Sequence, residues 1–150
     1  MSPLAVGEVA PPVNGVPFGD GPVGLLFFKV TCPTCQMAAP KVDAFERAYP
    51  GRVVGIGQDP PEALEAFGRE YAIGIRSVPD LPPYPVSDAY GIESVPTLYL
   101  VETDGIVVES IGAWDRDGFN RVARRIAEMT GAEVAPVSEP GDGLPAFKPG

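Results

Sequence analysis

Apolar residues recur along the chain in two patterns, short runs and amphipathic stretches. Nearly continuous runs are typical of strands buried on both faces, and three stand out: residues 25–30, 53–57 and 97–101. Between the first two runs, apolar residues at helical spacing predict a helix from Cys32 to about Tyr49. Pro40 lies inside this stretch and should bend the helix, because proline lacks the N–H that a helical hydrogen bond requires.

A second helix is predicted from the sequence Asp59-Pro60-Pro61-Glu62 to about Tyr71. Asp59 suits the N-cap, Pro60 the first helical position and Glu62 the third, which is the arrangement of a capping box.

Weaker signals fill the segments around these elements. A short strand is predicted at residues 4–6. Within the Pro-rich stretch 72–87, a second weak strand is predicted at residues 84–86, followed by one helical turn at 88–91.

A hairpin and a helix complete the predicted elements. The turn Thr103-Asp104-Gly105 predicts that residues 106–111 pair with the third apolar run. A last helix begins near Asp115 and carries an apolar face formed by Phe119, Val122, Ala123, Ile126 and Met129. Trp114 either packs the start of this helix or is an exposed recognition residue, and packing is the commoner role.

The order of elements predicts the fold class. Parallel strands joined by helical crossovers, followed by an antiparallel hairpin, indicate an α/β fold with a central mixed sheet flanked by helices. One domain is expected over residues 1–131, of which 1–22 form an irregular N-terminal extension. Residues 132–150, the C-terminal tail, hold four prolines and no period, so they should be draped on the surface or disordered.

Charge and hydropathy exclude several classes of function. Among 150 residues, 20 acidic and 11 basic side chains give a net charge of −9, and no basic cluster offers the face that phosphates require. No apolar run is long enough to span a bilayer, and residues 1–20 lack the basic and apolar regions of a leader. We therefore expect a cytoplasmic monomer that binds neither nucleic acid nor membrane.

The chain has two cysteines, Cys32 and Cys35, and no histidine. A structural zinc site needs four ligands, of which two would have to be carboxylates or come from a partner chain, so no metal site is predicted. A structural disulfide usually joins distant segments, because a short loop gains little from closure. Cys-Pro-Thr-Cys at a predicted helix start instead indicates a redox pair.

The helix start gives the two sulfurs different predicted roles. Free N–H groups and the helix dipole favour an anion at Cys32, which makes it the nucleophile toward a disulfide. Cys35 lies about one turn further in, should be more buried, and should resolve the mixed disulfide.

The segment Cys32–Pro40 resembles the active-site helix of the thioredoxin-fold superfamily, in which a proline follows the second cysteine by five residues. Val95-Pro96-Thr97 resembles the cis-proline element of that family, and Ile111-Gly112-Ala113 its glycine beside the active site. Residues 6–11 and 59–92 resemble the N-terminal signature and the insertion of its TlpA-like branch, which is related to the AhpC/TSA peroxiredoxins. The resemblance implies a thioredoxin-like fold, with an N-terminal extension and an α/β insertion before the cis-proline, and thiol–disulfide oxidoreductase activity.

Further residues are expected to support the cysteines. Pro33 and Thr34 should tune the reduction potential. The resemblance implies that Pro96 lies against the cysteine pair, that Val95 offers its main chain to an extended substrate segment, and that Gly112 lies beside the site.

The sequence departs from thioredoxin at three positions. Thr31 replaces a tryptophan before the first cysteine, which makes the substrate-facing surface smaller and more polar. Leu26 replaces the buried aspartate that handles the proton of the second cysteine. In TlpA-like proteins a carboxylate at the corner of the insertion can serve, and Asp59 is the matching residue, although a plain N-cap fits it better. A Lys29 ammonium would favour the Cys32 thiolate, although a strand-end lysine whose head reaches water fits this position better.

Three functions remain open at this point. The leading hypothesis is a reductase of protein or small-molecule disulfides, which needs no bound cofactor and takes electrons from an external thiol reductant or reductase. A peroxiredoxin-like thiol peroxidase comes second, although Leu25 and Phe28 stand where its Pro-x-x-x-Thr-x-x-Cys motif requires proline. A redox-inert, peptide-binding module is the third.

Overall fold

The computed structural model describes residues 3–150, and its centre is a five-stranded sheet. The strands are β1 (Val23–Phe28), β2 (Val53–Gly57), β3 (Arg76–Pro79), β4 (Thr97–Val101) and β5 (Val107–Gly112), and they lie in the order β3-β2-β1-β4-β5. β1, β2 and β3 are parallel neighbours, whereas β4 is antiparallel to both β1 and β5. The predicted mixed sheet is therefore confirmed.

Helices cover both faces of this sheet, as predicted. They are α1 (Pro33–Ala48), α2 (Pro61–Tyr71), α3 (Pro85–Ala89) and α4 (Arg116–Thr130). Successive side chains of a strand point to opposite faces. Leu26 and Phe28 pack in clusters with α1, α2 and α4, whereas Leu25 and Phe27 pack with residues 10–16 and the residues around α3.

The last helix begins where the sequence predicts. Asp115 is its N-cap and accepts a hydrogen bond from the Gly118 N–H at 3.2 Å. Trp114 is fully buried, with its ring centroid 4.8 Å from that of Phe119. Trp114 therefore packs the start of α4 and is not an exposed recognition residue.

The prediction of Asp59 as N-cap of the second helix is wrong. Pro60 is the N-cap and has no side-chain hydrogen bond to the helix, which begins one residue later at Pro61. The cause is steric, because a residue that precedes proline is pushed to extended backbone, and Pro60 has φ −63° and ψ 156°. The Asp59 carboxylate is thereby left free for another contact.

The two weak strand predictions are also wrong. Residues 84–86 enter α3, because the buried Asp80 carboxylate accepts hydrogen bonds from the N–H groups of Val86 and Ser87 and so caps that helix. The strand in this region is β3, at the sheet edge. Residues 4–6 form no strand, and the Leu4 N–H binds the Tyr90 carbonyl instead.

The C-terminal tail lies on the domain. Its end forms β7 (Phe147–Lys148), which pairs antiparallel with β6 (Trp114–Asp115) in a small second sheet. Of the two predicted alternatives, the draped tail is the one observed. Across residues 3–150, no helix combines the length and the apolar character needed to cross a membrane.

Candidate functional site

Cys32 and Cys35 lie at the N-terminus of α1, and both are free thiols. Cys32 is itself the N-cap, with extended backbone at φ −79° and ψ 117°, and its Sγ accepts a hydrogen bond from the Cys35 N–H at 3.2 Å. Pro33 fits the first helical turn, where no N–H is needed. The helix thus directs a donor at the sulfur that must carry negative charge when Cys32 acts as a nucleophile.

Cys35 faces an apolar interior. It packs with Phe28, Leu64 and Phe67, and it lines a cavity of about 500 Å³ between α1, α2 and the sheet. Burial, followed by the hydrogen bond with the Cys32 thiol, raises the pKa of Cys35 well above its ordinary range. Cys35 is therefore a neutral thiol at neutral pH and must lose its proton before it attacks a disulfide.

The wall of this cavity offers no obvious acceptor for that proton. Leu26 lines it at the position where thioredoxin has aspartate, and Leu26 is buried. The charged lining residues, Glu65 and Arg69, have largely exposed side chains and pair with each other at 3.2 Å. Within residues 3–150, no three His, Cys, Asp or Glu side chains are grouped so that they could hold a metal ion.

The loop before β4 lies against the first cysteine. The Val95–Pro96 bond is cis, and the Val95 carbonyl oxygen accepts a hydrogen bond from the Cys32 thiol at 3.6 Å. The Ala113 N–H donates to the Pro96 carbonyl at 2.9 Å, so the end of β5, with the exposed Gly112, borders the same place. The structure thus brings Cys32, Val95, Pro96 and Gly112 together.

The residues around Cys32 differ in exposure. Thr31 and Pro33 are exposed and form the outer edge of the site. Thr34 is only 2% exposed, and its hydroxyl donates to the Pro149 carbonyl oxygen at 2.8 Å. Sequence reasoning missed this contact, because the tail has no periodic pattern that would predict where it lies.

Asp59 and Lys29 approach the site through the loop that precedes Cys32. The Asp59 carboxylate accepts a hydrogen bond from the Val30 N–H at 2.9 Å, and Gln36, which the sequence did not single out, donates its side-chain amide to the Val30 carbonyl at 2.8 Å. Lys29 is half-buried, and its main-chain carbonyl accepts from the Cys32 N–H at 3.2 Å. Asp59 and Gln36 therefore hold the loop that carries the first cysteine.

A mixed sheet of this order, a Cys-x-x-Cys pair at the start of the first helix and an adjoining cis-proline loop define a thioredoxin-like domain. Solved structures agree. The thioredoxin domain of a thiol–disulfide oxidoreductase from Bacteroides vulgatus has a TM-score of 0.69 at 22% identity, over 82% of this chain and 99% of that chain. A putative protein disulfide isomerase from Bacteroides thetaiotaomicron has a TM-score of 0.73 at 19% identity, over 86% and 94%.

A third similar structure is dsbF of Mycobacterium tuberculosis (MTB), solved in mixed oxidised and reduced forms. Its TM-score is 0.60 at 26% identity, over 72% of this chain and 80% of that chain. No family model and no curated protein sequence matches the chain. The predicted thioredoxin-like fold is confirmed by these structural likenesses.

Proposed function

We propose that the chain is a thiol–disulfide oxidoreductase that reduces disulfides with Cys32 and Cys35. The observation that carries the proposal is the position of the Cys32 sulfur, which caps α1, contacts the Val95 carbonyl and lies beside the buried thiol of Cys35. The names of two similar structures, a thiol–disulfide oxidoreductase and a putative protein disulfide isomerase, support it.

The dithiol would work in two exchange steps. The Cys32 thiolate attacks one sulfur of the substrate disulfide, the substrate S–S bond breaks, and one substrate thiolate leaves and takes up a proton. Cys35 then loses its proton and attacks Cys32 Sγ in the mixed disulfide, which releases the second substrate thiolate. The enzyme is left with a Cys32–Cys35 disulfide, and two electrons have passed to the substrate.

The loop at Val95 and Pro96 would hold the substrate. Main-chain groups before a strand can pair with an extended peptide, and Val95 lies against the nucleophile. Gly112 borders this place, and a Cβ added there would meet nothing within 4 Å, so the space directly over Gly112 is free. An extended segment of a disulfide-containing protein would therefore lie along the Val95–Pro96 loop, beside Cys32.

The direction of electron flow depends on the partner. We assign reduction. An external thiol reductant or reductase then restores the dithiol by reducing the Cys32–Cys35 disulfide, and is itself oxidised. The cytoplasmic location and the monomeric state stay predictions from the sequence. A cytoplasmic thiol pool would supply the reducing equivalents that this direction requires.

Reduction of insulin tests the proposal. Dithiothreitol-reduced protein should accelerate the appearance of turbidity, and Cys32→Ser should abolish this effect. Cys35→Ser should retain the substrate covalently on Cys32, which mass spectrometry detects. Glu139→Gln, an exposed tail residue, serves as the control and should behave as wild type. Full activity of Cys32→Ser, or consumption of hydrogen peroxide far faster than reduction of insulin, would contradict the proposal.

A further inference from the structure

The first part of the C-terminal tail is held by its side chains. Ser138 is 2% exposed, and its hydroxyl donates to the Asp142 carboxylate at 2.6 Å. Asp142 also lies 2.8 Å from the Lys41 ammonium and 3.5 Å from the Arg116 guanidinium. These contacts fasten residues 137–144 to α1 and α4.

The second part, residues 145–150, is held through its main chain. The Trp114 indole N–H donates to the Pro145 carbonyl at 2.8 Å, and the Arg116 N–H donates to the Ala146 carbonyl at 2.9 Å. Beyond them β7 pairs with β6. Residues 145–150 are all exposed, so side-chain burial contributes little to their binding.

The last two residues reach the dithiol. The Pro149 carbonyl accepts the hydrogen bond from Thr34, one of the two residues between the cysteines. Gly150 lies so close to the cis-proline loop that a Cβ on it would overlap the Val95 carbonyl oxygen. That oxygen is also the acceptor for the Cys32 thiol. Pro149 and Gly150 therefore lie against Thr34 and the Val95 carbonyl, two groups that adjoin the nucleophile.

We propose that residues 147–150 occupy the surface between Thr34 and the Val95–Pro96 loop, the substrate groove, and must leave it before a protein disulfide can reach Cys32. The proposal rests on the dithiol function proposed above. Two observations indicate that a substrate peptide can replace this segment. The segment is held through its main chain, and its Phe147 side chain remains 58% exposed. The place where a substrate segment would lie, between Thr34 and Val95, already holds these residues.

Residues 147–150 should bind in the groove reversibly, yet occupy it for most of the time. Residues 137–144 keep the segment at a high effective concentration beside the groove. The segment itself makes only a few main-chain hydrogen bonds, each of modest net worth. We therefore expect the covered form to predominate over the open form by about tenfold.

Alkylation of Cys32 by iodoacetamide tests the occupancy directly, without reference to any substrate. Deletion of residues 147–150 should accelerate alkylation of Cys32 in the reduced protein about tenfold. Mass spectrometry shows that the label is on Cys32. Gly150→Ala in the full chain should also accelerate it, because the added Cβ displaces the segment. Val134→Ala, at an exposed tail position outside the segment, is the matched control and should leave the rate unchanged.

Addition of the segment in trans gives a second test. The peptide Ala-Phe-Lys-Pro-Gly should slow alkylation of the truncated protein and inhibit its reduction of insulin competitively. The same peptide with alanine in place of the final glycine should bind more weakly, for the reason given for Gly150→Ala.

The outcomes separate the two proposals. Unchanged alkylation in both the deletion and Gly150→Ala would overturn the occupancy, as would a truncated protein that folds yet reduces insulin more slowly. If alkylation accelerates while no variant reduces insulin, the occupancy stands and the reductase function fails. A thermal melt of each variant confirms that the faster alkylation comes from a folded protein.

Discussion

The Thr34 hydroxyl donates a hydrogen bond at 2.8 Å to the carbonyl oxygen of Pro149, 115 positions further along the chain. One of the two residues that separate the cysteines is thus hydrogen-bonded to the C-terminal tail. Thr34 is almost fully buried, and the tail therefore lies against the helix start next to Cys32. The reactivity of the dithiol should therefore respond to changes that loosen the tail.

Asp142→Asn should loosen the tail without touching the active site. The wild-type carboxylate is paired with Lys41 and Arg116, and its loss removes the charged anchor of residues 137–144. We expect faster alkylation of Cys32 by iodoacetamide than in wild type. Glu139→Gln is the matched control, since this neighbouring carboxylate forms no ion pair in the part of the chain that the structure describes. Equal rates in the two variants would count against a tail held by Asp142.

The pH dependence of this anchor follows from the same contacts. Hydrogen bonds from Lys41 and Ser138 hold the pKa of Asp142 well below its usual value of 3.8. A lowered folded-state pKa contributes stability that is present above the unfolded value and lost as the pH falls through the folded value. Between about pH 5 and 8, the difference in thermal midpoint between wild type and Asp142→Asn should therefore stay constant. A midpoint difference that changes over this range would contradict the assignment.

Burial of the Cys35 thiol should make the reduced protein sensitive to alkali. Its pKa is raised in the folded state from an ordinary value of 9.0, so above that pH the unfolded chain binds fewer protons than the folded one. Stability from this group is therefore complete below pH 9.0 and decreases as the pH rises above it. Thermal melts of the reduced protein should show a steeper alkaline loss for wild type than for Cys35→Ala. Parallel losses would argue that Cys35 is accessible to water.

Leu26→Asp should supply the proton acceptor that the cavity lacks. At neutral pH the resolving step, in which Cys35 displaces the substrate from Cys32, should become faster than in Leu26→Asn, which has the same shape without the charge. Both variants should lose stability, by about 2–4 kcal/mol, because each buries a polar group in an apolar wall. Quenched-flow analysis of the mixed disulfide measures the step. Equal rates would show that proton removal does not limit it.

Asp59 should act on the loop before Cys32 through its hydrogen bond to the Val30 N–H. Asp59→Ala should lower the free energy of unfolding by about 1–2 kcal/mol, whereas Asp59→Asn keeps an acceptor oxygen and should lose less. Urea denaturation measures both. Glu62→Gln, in the exposed first turn of α2, should be neutral and serves as control. If Asp59→Asn keeps its stability but loses insulin reduction, the carboxylate carries a proton as well as holding the loop.

The elements that the sequence predicts well are those with strong local signals. The apolar runs, the helix after Cys32 and the Asp115 N-cap all encode their own geometry, and all three are found. The predicted start of α2 is wrong by one residue. The preference of proline for the first helical position favours Pro60 there, but Pro61 holds Pro60 in extended backbone, so the helix begins at Pro61. The error matters, since it hid the contact between Asp59 and the active-site loop.

Features that depend on distant partners could not be predicted. β3 contains few apolar residues and is recognisable as a strand only through its parallel pairing with β2. The chemistry of the cysteine pair could be predicted because Cys32, Cys35 and Pro40 stand at fixed spacing. The bond between Thr34 and Pro149 has no such local signature, because it arises from a main-chain acceptor that any residue could supply.

A fusion partner would lie far from the dithiol at one end of the described chain and close to it at the other. Leu4 is bonded to Tyr90, which belongs to the core cluster on the sheet face opposite α1, α2 and α4, whereas Gly150 touches the carbonyl that contacts the nucleophile. An affinity tag joined after Gly150 would begin beside the Val95 carbonyl that the Cys32 thiol contacts, and it would alter what is measured there. For a kinetic assay, purification should therefore use a tag at the amino-terminal side, or one that a protease removes completely.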